Sequence, residues 1–301
     1  MANNSAHPAQ RATAQHFLPG GHPLSTQHSP LPPLARLSLN QMTTQRWSLR
    51  EAADGCARAG LGWIGVWRDK LADAGVEAGA KLIRDAGLRV SGLCRGGMFP
   101  AATTAERAER IEDNRRAIAE AAAIGTSVLV LVCGAAPDKD IDAARKQIAA
   151  GIATVADEAK AAGVVLAIEP LHPAFAATRS AIATLGEALD IADEIDHPNV
   201  QVVIDVYHVW WDPQLYAQIA RSAGRIAAYH VNDWLTTGGD PLTTRGMMGD
   251  GVIELRRIRH AVEAAGYRDG PIEVEIFNPT WWEMPGDDVL ALMKERYRDH
   301  V

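Results

Sequence analysis

The chain is poor in cysteine, in long apolar runs and in positive charge, and each shortage removes a class of protein. Three cysteines in 301 residues, Cys56, Cys94 and Cys133, are too few and odd in number for a disulfide framework. A reducing compartment, the cytoplasm, is the expected setting. No segment approaches the ~20 consecutive apolar residues that a spanning helix needs, and the N-terminus lacks the basic-then-apolar order of a secretory signal. Lys plus Arg number 30 against 37 Asp plus Glu, a formal net charge of −7, whereas a surface that grips nucleic-acid phosphates is usually strongly basic. Small molecules are therefore the expected partners, and neither nucleic acid nor membrane is. Phenylalanine is scarce too, four against eight tryptophans, so the positions of the tryptophans matter.

Residues 1–33 hold six of the sixteen prolines and four of the ten histidines, His7, His16, His22 and His28, without apolar periodicity. They are expected to form a mobile tail, because they offer too little apolar surface to offset the entropy of ordering. The remaining residues, 34–301, alternate short β-branched runs with longer amphipathic stretches, the pattern of repeated βα units. The predicted strands are Arg36–Asn40, Trp63–Trp67, Arg89–Cys94, Ser127–Cys133, Val164–Glu169, Val200–Tyr207, Ile226–Val231 and Ile272–Phe277. The predicted helices are Leu49–Ala59, Val76–Ala86, Ala105–Ile124, Ile141–Ala162, Leu185–Ile195, Pro213–Ala223, Leu255–Ala265 and Asp287–Arg298. Several end in the Ala-Gly pair that closes a helix, as at Ala59-Gly60 and Ala162-Gly163. Eight such units predict a single (β/α)8 TIM-barrel domain over 34–301. A doubly wound open sheet is the alternative, disfavoured by the lack of a Gly-x-Gly-x-x-Gly loop after the first strand.

A barrel builds its site at the C-terminal ends of its strands. On the last four predicted strands that position carries Glu169 in LAIEPLHP, Asp205 in VVIDVYHVW, His230 in AAYHVNDW and Glu275 in IEVEIFN. Any one of them can be explained by a salt bridge or by solvent at the strand end. Three carboxylates and one imidazole on consecutive strands converge on a small volume, however, and repel unless a cation holds them. One divalent ion solves that problem. Ligation rich in oxygen with one imidazole suits Mn²⁺ best, with Mg²⁺, Co²⁺ and Zn²⁺ also compatible.

Glu, Asp, His and Glu on the fifth to eighth strands, 36, 25 and 45 residues apart, with Asp-x-x-His at Asp205 and His208, resemble the sugar isomerase and epimerase superfamily with the xylose-isomerase-like barrel. Its members include ketose 3-epimerases, hydroxypyruvate isomerase, inosose isomerases and dehydratases, and endonuclease IV. The resemblance implies that Glu169, Asp205, His230 and Glu275 are metal ligands. It also implies that Glu169 and Glu275 are the acid/base pair and that His208 binds a substrate oxygen. The implied activity is carboxylate-mediated proton transfer beside a chelated carbonyl of a sugar, sugar phosphate or cyclitol. A lyase or dehydratase acting on a 3-oxo-glycoside or inosose through the same site is the alternative. A repair endonuclease is disfavoured, because the second and third strands end in Val66-Trp67-Arg68 and Leu93-Cys94-Arg95 without the extra histidines. The family's homo-oligomers, dimers or tetramers, are a possible assembly.

Other strand-end groups have two readings each. His172 either faces the cavity as a second acid/base or lies in the loop. Arg245, in TTRGMMGDG, either clamps a substrate oxyanion or is a solvated loop arginine. Arg95 either reaches the substrate or forms an ion pair at the rim. Asp233 and Asp250 either help a second metal or serve as hydrogen-bonding and solvated groups, the more natural reading. Where many epimerases place an arginine soon after the metal-binding histidine, this chain has Asn232, Asp233 and Trp234. Trp67, Trp210, Trp211, Trp234, Trp281 and Trp282 all fall at or just past strand ends. Trp67, Trp211 and Trp234 are the candidates for stacking on a sugar, against the alternative of packing on the helix layer or in an oligomer contact.

Overall fold

In the computed structural model, which describes Met1 and residues 34–301, eight parallel strands close into a barrel. They are β1 (Leu37–Asn40), β2 (Trp63–Trp67), β3 (Arg89–Gly97), β4 (Val128–Val132), β5 (Val165–Glu169), β6 (Val200–Asp205) and β7 (Ile226–Val231). After a two-residue antiparallel pair, β8 (Asp233–Trp234) and β9 (Arg245–Gly246), the eighth barrel strand is β10 (Ile272–Val274). The strands follow one another in chain order and β10 pairs with both β7 and β1. No edge is left open, so the doubly wound alternative is excluded. The chain divides into two units, residues 1–30 and 31–301. The expected mobile tail and its four histidines lie outside the described residues.

Each βα unit is set by local chemistry. Ser48 with Glu51, Thr103 with Glu106 and Thr184 with Glu187 form reciprocal capping boxes at the starts of the helices Leu49–Ala59, Thr104–Ala123 and Leu185–Ile195, satisfying orphan N–H groups that otherwise go unpaired. Gly60 closes the first of these helices at φ 70°, a left-handed geometry that costs glycine little. Apolar residues such as Leu39, Ile64, Leu131, Ile168 and Ile204 pack outward against the helices in one continuous core. Cys94, Val130, Ala167, Val203 and Ala228 form a small cluster of their own.

All eight predicted strands are present, with shifts at their ends. The first begins one residue later, because Leu34–Arg36 forms a 3-10 turn. β3 runs on to Gly97, and β6 stops at Asp205, whose side chain accepts from Tyr207 N and starts the turn Val206–Val209. The last strand ends at Val274 instead of Phe277. The helices Arg68–Ala74 and Pro279–Glu283, and the β8–β9 pair, were not expected from periodicity. They are too short to show one.

One side of the barrel interior is polar. Ser38, Asn40, Ser91 and Glu273 are buried there. Glu273 accepts from Asn40 Nδ2 at 2.6 Å and from Ser91 Oγ, and the two serine hydroxyls meet at 2.8 Å. Gly65 on β2 makes room for this carboxylate, since a Cβ at that position would lie 2.2 Å from Glu273 Oε1.

Candidate metal centre

The four strand-end residues meet. Register places Asp205 beside His230, and Glu169 closes β5 opposite Val132. One ligand atom from each of Glu169, Asp205, His230 and Glu275 lies within 4.8 Å of every other, and all four residues are at most 4% exposed. His230 Nδ1 is 3.7 Å from both Glu169 Oε1 and Glu275 Oε2. Glu169 Oε1 and His230 Nδ1 are buried with no hydrogen-bond partner, although such groups are normally satisfied. Two buried, unpartnered polar atoms within a cluster of carboxylates are what a divalent cation fits on displacing their protons. The cluster can hold a metal; these donors do not by themselves fix which one.

The charges around that point are uneven. Burial, reinforced by Glu275, pushes the Glu169 carboxyl up to about 8. Burial also acts to raise Glu275, but the guanidinium of Arg245 and then His230 outweigh it and hold Glu275 well below the usual carboxylate range. Asp205 is raised by burial, with Arg245 opposing and Glu275 adding. Burial disfavours a charged His230, yet Glu273, Glu275 and Glu169 overcome it and raise the imidazole to about 10.

Arg245 is no solvated loop residue. It is 4% exposed, and its Nη1 donates to Asp205 Oδ2 at 3.0 Å and to Glu275 Oε2 at 2.9 Å. Its guanidinium lies 4.7 Å from the Tyr207 ring centroid and 4.9 Å from that of Phe277. The β8–β9 pair brings it there: Arg245 N donates to Phe277 O, and Asn278 Nδ2 donates to Arg245 O. His208 is buried against the same arginine, with Nε2 3.1 Å from Arg245 Nη2 and Nδ1 accepting from His172 N at 3.1 Å. Burial and then Arg245 keep the His208 imidazole well below its ordinary value, hence neutral.

The other candidates are placed as follows. His172 is half-buried, stacked on Trp234 at 4.6 Å and met edge-on by Trp211 at 5.7 Å. Its Nδ1 accepts from Ala174 N, and burial lowers its pKa. Trp211 donates Nε1 to His208 O, so Trp211 and Trp234 support the two histidines and do not line the cavity above the carboxylates. Trp67 does line it and donates Nε1 to Asn40 Oδ1 at 2.9 Å. Arg95 lines an adjoining cleft. Asp233 accepts from the backbone N–H groups of Trp234, Gly249 and Ile253, and Asp250 pairs with Arg296 at 2.9 Å. Neither belongs to the cluster of Glu169, Asp205, His230 and Glu275.

Four further residues bear on the site. Asn40 Nδ2 bridges Glu273 and Glu275, at 2.6 and 3.1 Å. Asn232 Nδ2 ties Asp205 Oδ1 to Glu275 O. Glu273 Oε1 stands 3.8 Å from His230 Nε2, on the side of the ring away from the other carboxylates. Arg179 lines the cavity beside Glu169 and His208. The cavity measures about 20 Å³, room for one water. Leu242, from the segment between β8 and β9, forms part of its wall, and Tyr207 holds that segment by donating to Pro241 O at 2.6 Å.

The closed barrel agrees with the sequence profile of the xylose isomerase-like TIM barrel, which matches residues 53–296. The chain belongs to that family. Protein SMc04130 from Sinorhizobium meliloti 1021 is 50% identical, with a TM-score of 0.86 over 89% of this chain and 98% of that one. The IOLI protein, whose crystal structure holds a zinc atom, superposes with a TM-score of 0.78 at 20% identity over 88% of this chain and 97% of that one. A D-allulose 3-epimerase from Methylomonas sp. gives 0.71 at 20% identity, over 91% and 100%. These last two likenesses concern the fold. No curated protein sequence matches the chain. Among the described residues of this family member, no helix is long and apolar enough to cross a membrane.

Proposed function

We propose that the protein is a divalent-metal-dependent isomerase or epimerase of a sugar or cyclitol. The observation that carries this reading is the pair of buried, unpartnered donors, Glu169 Oε1 and His230 Nδ1, facing one point with Asp205 and Glu275. The epimerase and zinc-bearing IOLI neighbours support it at the level of fold. A bound divalent ion, Mn²⁺ on our reading, would supply Lewis acidity to a chelated carbonyl and its neighbouring hydroxyl. Two carboxyls with environments that push them apart fall into acid and base roles. Glu275, kept ionised by Arg245 and His230, takes the proton from the substrate carbon. Glu169, the other carboxyl of the pair, takes up a proton from a substrate hydroxyl and passes it to the carbon. His208 stays neutral and orients a substrate hydroxyl, while Trp67 offers an apolar wall and excludes water.

The deciding experiment incubates the purified, Mn²⁺-loaded full chain in D₂O with a panel of ketoses, inososes and 3-oxo-glycosides. Deuterium at the carbon next to the carbonyl, with isomer formation, is the expected result. Release of the aglycone or of water instead identifies a lyase, and turnover by metal-stripped protein overturns the reading.

The pKa directions add a second expectation. A carboxyl raised in the folded protein binds a proton that the unfolded chain has already lost, so its contribution to stability falls as pH rises from the ordinary carboxylate range to about 8. His230, raised to about 10, contributes stability below its ordinary value and loses it as pH rises through 10. Metal binding needs both groups deprotonated. Calorimetric titration with Mn²⁺ in buffers of different ionisation enthalpy should show proton release at pH 7. The share from Glu169 fades above about 8, while that from His230 persists to about 10. Titration without proton uptake by the buffer would contradict this.

A further inference from the structure

Among the described residues, two arginines at the mouth of the barrel have no ion-pair partner. Arg179 lines the cavity beside Glu169, His208 and Arg245. Its backbone is fixed on both sides, N donating to Phe175 O at 2.9 Å and O accepting from Gly134 N at 3.0 Å. Arg95, near the end of β3, lines an adjoining cleft of about 380 Å³ that shares Trp67 and Cys94 with the cavity and also includes Arg110. Both side chains are half-buried, and among the described residues neither forms an ion pair or a side-chain hydrogen bond. Their neighbours behave differently. Arg68, in the same cleft, is held by Asp113 at 3.0 Å and Glu120 at 2.6 Å, and Arg245 by Asp205 and Glu275.

The cost of leaving these charges bare is visible in Arg179. Burial first, and then the positive charges of Arg95 and Arg245, lower its pKa. A guanidinium still does not give up its proton in a protein, so Arg179 keeps its charge against those of Arg95 and Arg245 at the cavity it lines, where Arg245 is already paired with Asp205 and Glu275. An anion delivered to that space would relieve the repulsion and satisfy planar donors suited to carboxylate and phosphate oxygens. The cleft has room for the anionic end of a substrate, and it adjoins the cavity lined by Glu169 and Glu275.

We propose that the substrate carries an anionic group, a carboxylate or a phosphate ester, and that Arg95 and Arg179 take it at the barrel mouth. The proposal rests on the isomerase or epimerase reading for the end of the substrate that meets Glu169 and Glu275. The anion site itself does not need that reading.

The test is calorimetric titration of the Mn²⁺-loaded full chain with D-fructose, D-fructose 6-phosphate and D-gluconate, for wild type, Arg95→Met, Arg179→Met and the double variant. Wild type is expected to bind one of the two anions roughly 10- to 100-fold more tightly than D-fructose, the range for hydrogen bonds to charged groups. Which anion is preferred separates phosphate from carboxylate. Each single variant is expected to lose most of that preference and the double variant all of it, with affinity for Mn²⁺ unchanged. Metal-free Arg179→Met should melt no lower than wild type, because it removes a repulsion. No arginine-dependent preference for either anion overturns the proposal, as does an equal loss of affinity for D-fructose and for the anions. Deuterium exchange in D₂O reports separately. Exchange without the preference defeats the anion site alone, and the preference without exchange in any ketose defeats the isomerase reading while leaving the anion site standing.

Discussion

Replacing Glu275 with alanine is expected to destabilise the metal-free protein by about 3–5 kcal/mol, the range for removing one partner of a buried ion pair. It is also expected to weaken Mn²⁺ binding by more than the roughly 10- to 100-fold typical of losing an outer-shell partner. The first effect follows from what Glu275 holds. Its Oε2 receives Arg245 Nη1 at 2.9 Å, its Oε1 accepts from Asn40 Nδ2 at 3.1 Å, and His230 stands 3.7 Å away. At 4% exposure, none of these partners can turn to water. The second effect follows from the loss of one of four ligand atoms. Denaturant unfolding of metal-free protein reads the first and calorimetric titration the second. Glu275→Gln separates them, because it keeps the hydrogen-bonding shape while removing the charge: stability should suffer less than in the alanine variant, and Mn²⁺ affinity should still fall sharply. An alanine variant that holds Mn²⁺ as tightly as wild type would refute the assignment of Glu275.

The barrel and its four acidic and imidazole groups were legible because two simple periods carry them. Each of the four closes or nearly closes an apolar β-branched run, and Gly or Ala-Gly marks where the intervening helices stop. Side-chain alternation held more information than the strand-end rule extracted. Residues 273 and 275 in Ile-Glu-Val-Glu-Ile are two apart, so a strand-like backbone turns both to one face; Glu275 reaches the ligand cluster and Glu273 lies beneath it, paired with Asn40 and Ser91. Gly65 belongs to the same logic, as the small residue opposite a buried carboxylate. Arg179 had no such signal. Its sequence, Phe-Ala-Ala-Thr-Arg-Ser-Ala, shows no period, and its position comes from long-range backbone pairing with Gly134. His172 shows the limit of proximity along the chain. Three residues after Glu169, it turns onto Trp234, because its Nδ1 is used to hold the short turn Pro173–Phe175. Of the tryptophans, Trp67 walls the cavity, Trp211 and Trp234 pack on His172, and Trp63 and Trp282 are engaged elsewhere, by Arg89 and by Met42 O, so composition alone could not assign these residues to a ligand.

Arg245→Met should produce two effects of opposite sign, and this separates a cation-competing residue from a mere prop. In the metal-free protein the guanidinium is the main counter-charge for Asp205 and Glu275, at 3.0 and 2.9 Å. Its loss leaves three buried carboxyls with His230 as their nearest cation, and a cost of about 3–5 kcal/mol at pH 7 is expected. The sign of the pH dependence follows. Without Arg245 the Asp205 and Glu275 carboxyls rise, so the variant binds more protons when folded than wild type does, and its deficit shrinks as the pH is lowered. Mn²⁺ affinity should move the other way. The oxygens that receive Nη1 belong to two of the four ligand residues, so in wild type the ion competes with the guanidinium for them, and methionine removes the competitor while preserving contact with Tyr207 and Phe277. The variant should therefore bind Mn²⁺ more tightly than wild type and recover its stability with the metal, by about 4 kcal/mol once the free ion reaches a thousand times its dissociation constant. Turnover should nevertheless fall, since the guanidinium that orients His208 and keeps Glu275 ionised is gone. Thermal melting with and without Mn²⁺ across pH 5–8, beside calorimetric titration, checks both signs, and a variant that neither regains stability with Mn²⁺ nor binds it more tightly would show that Arg245 only braces the fold.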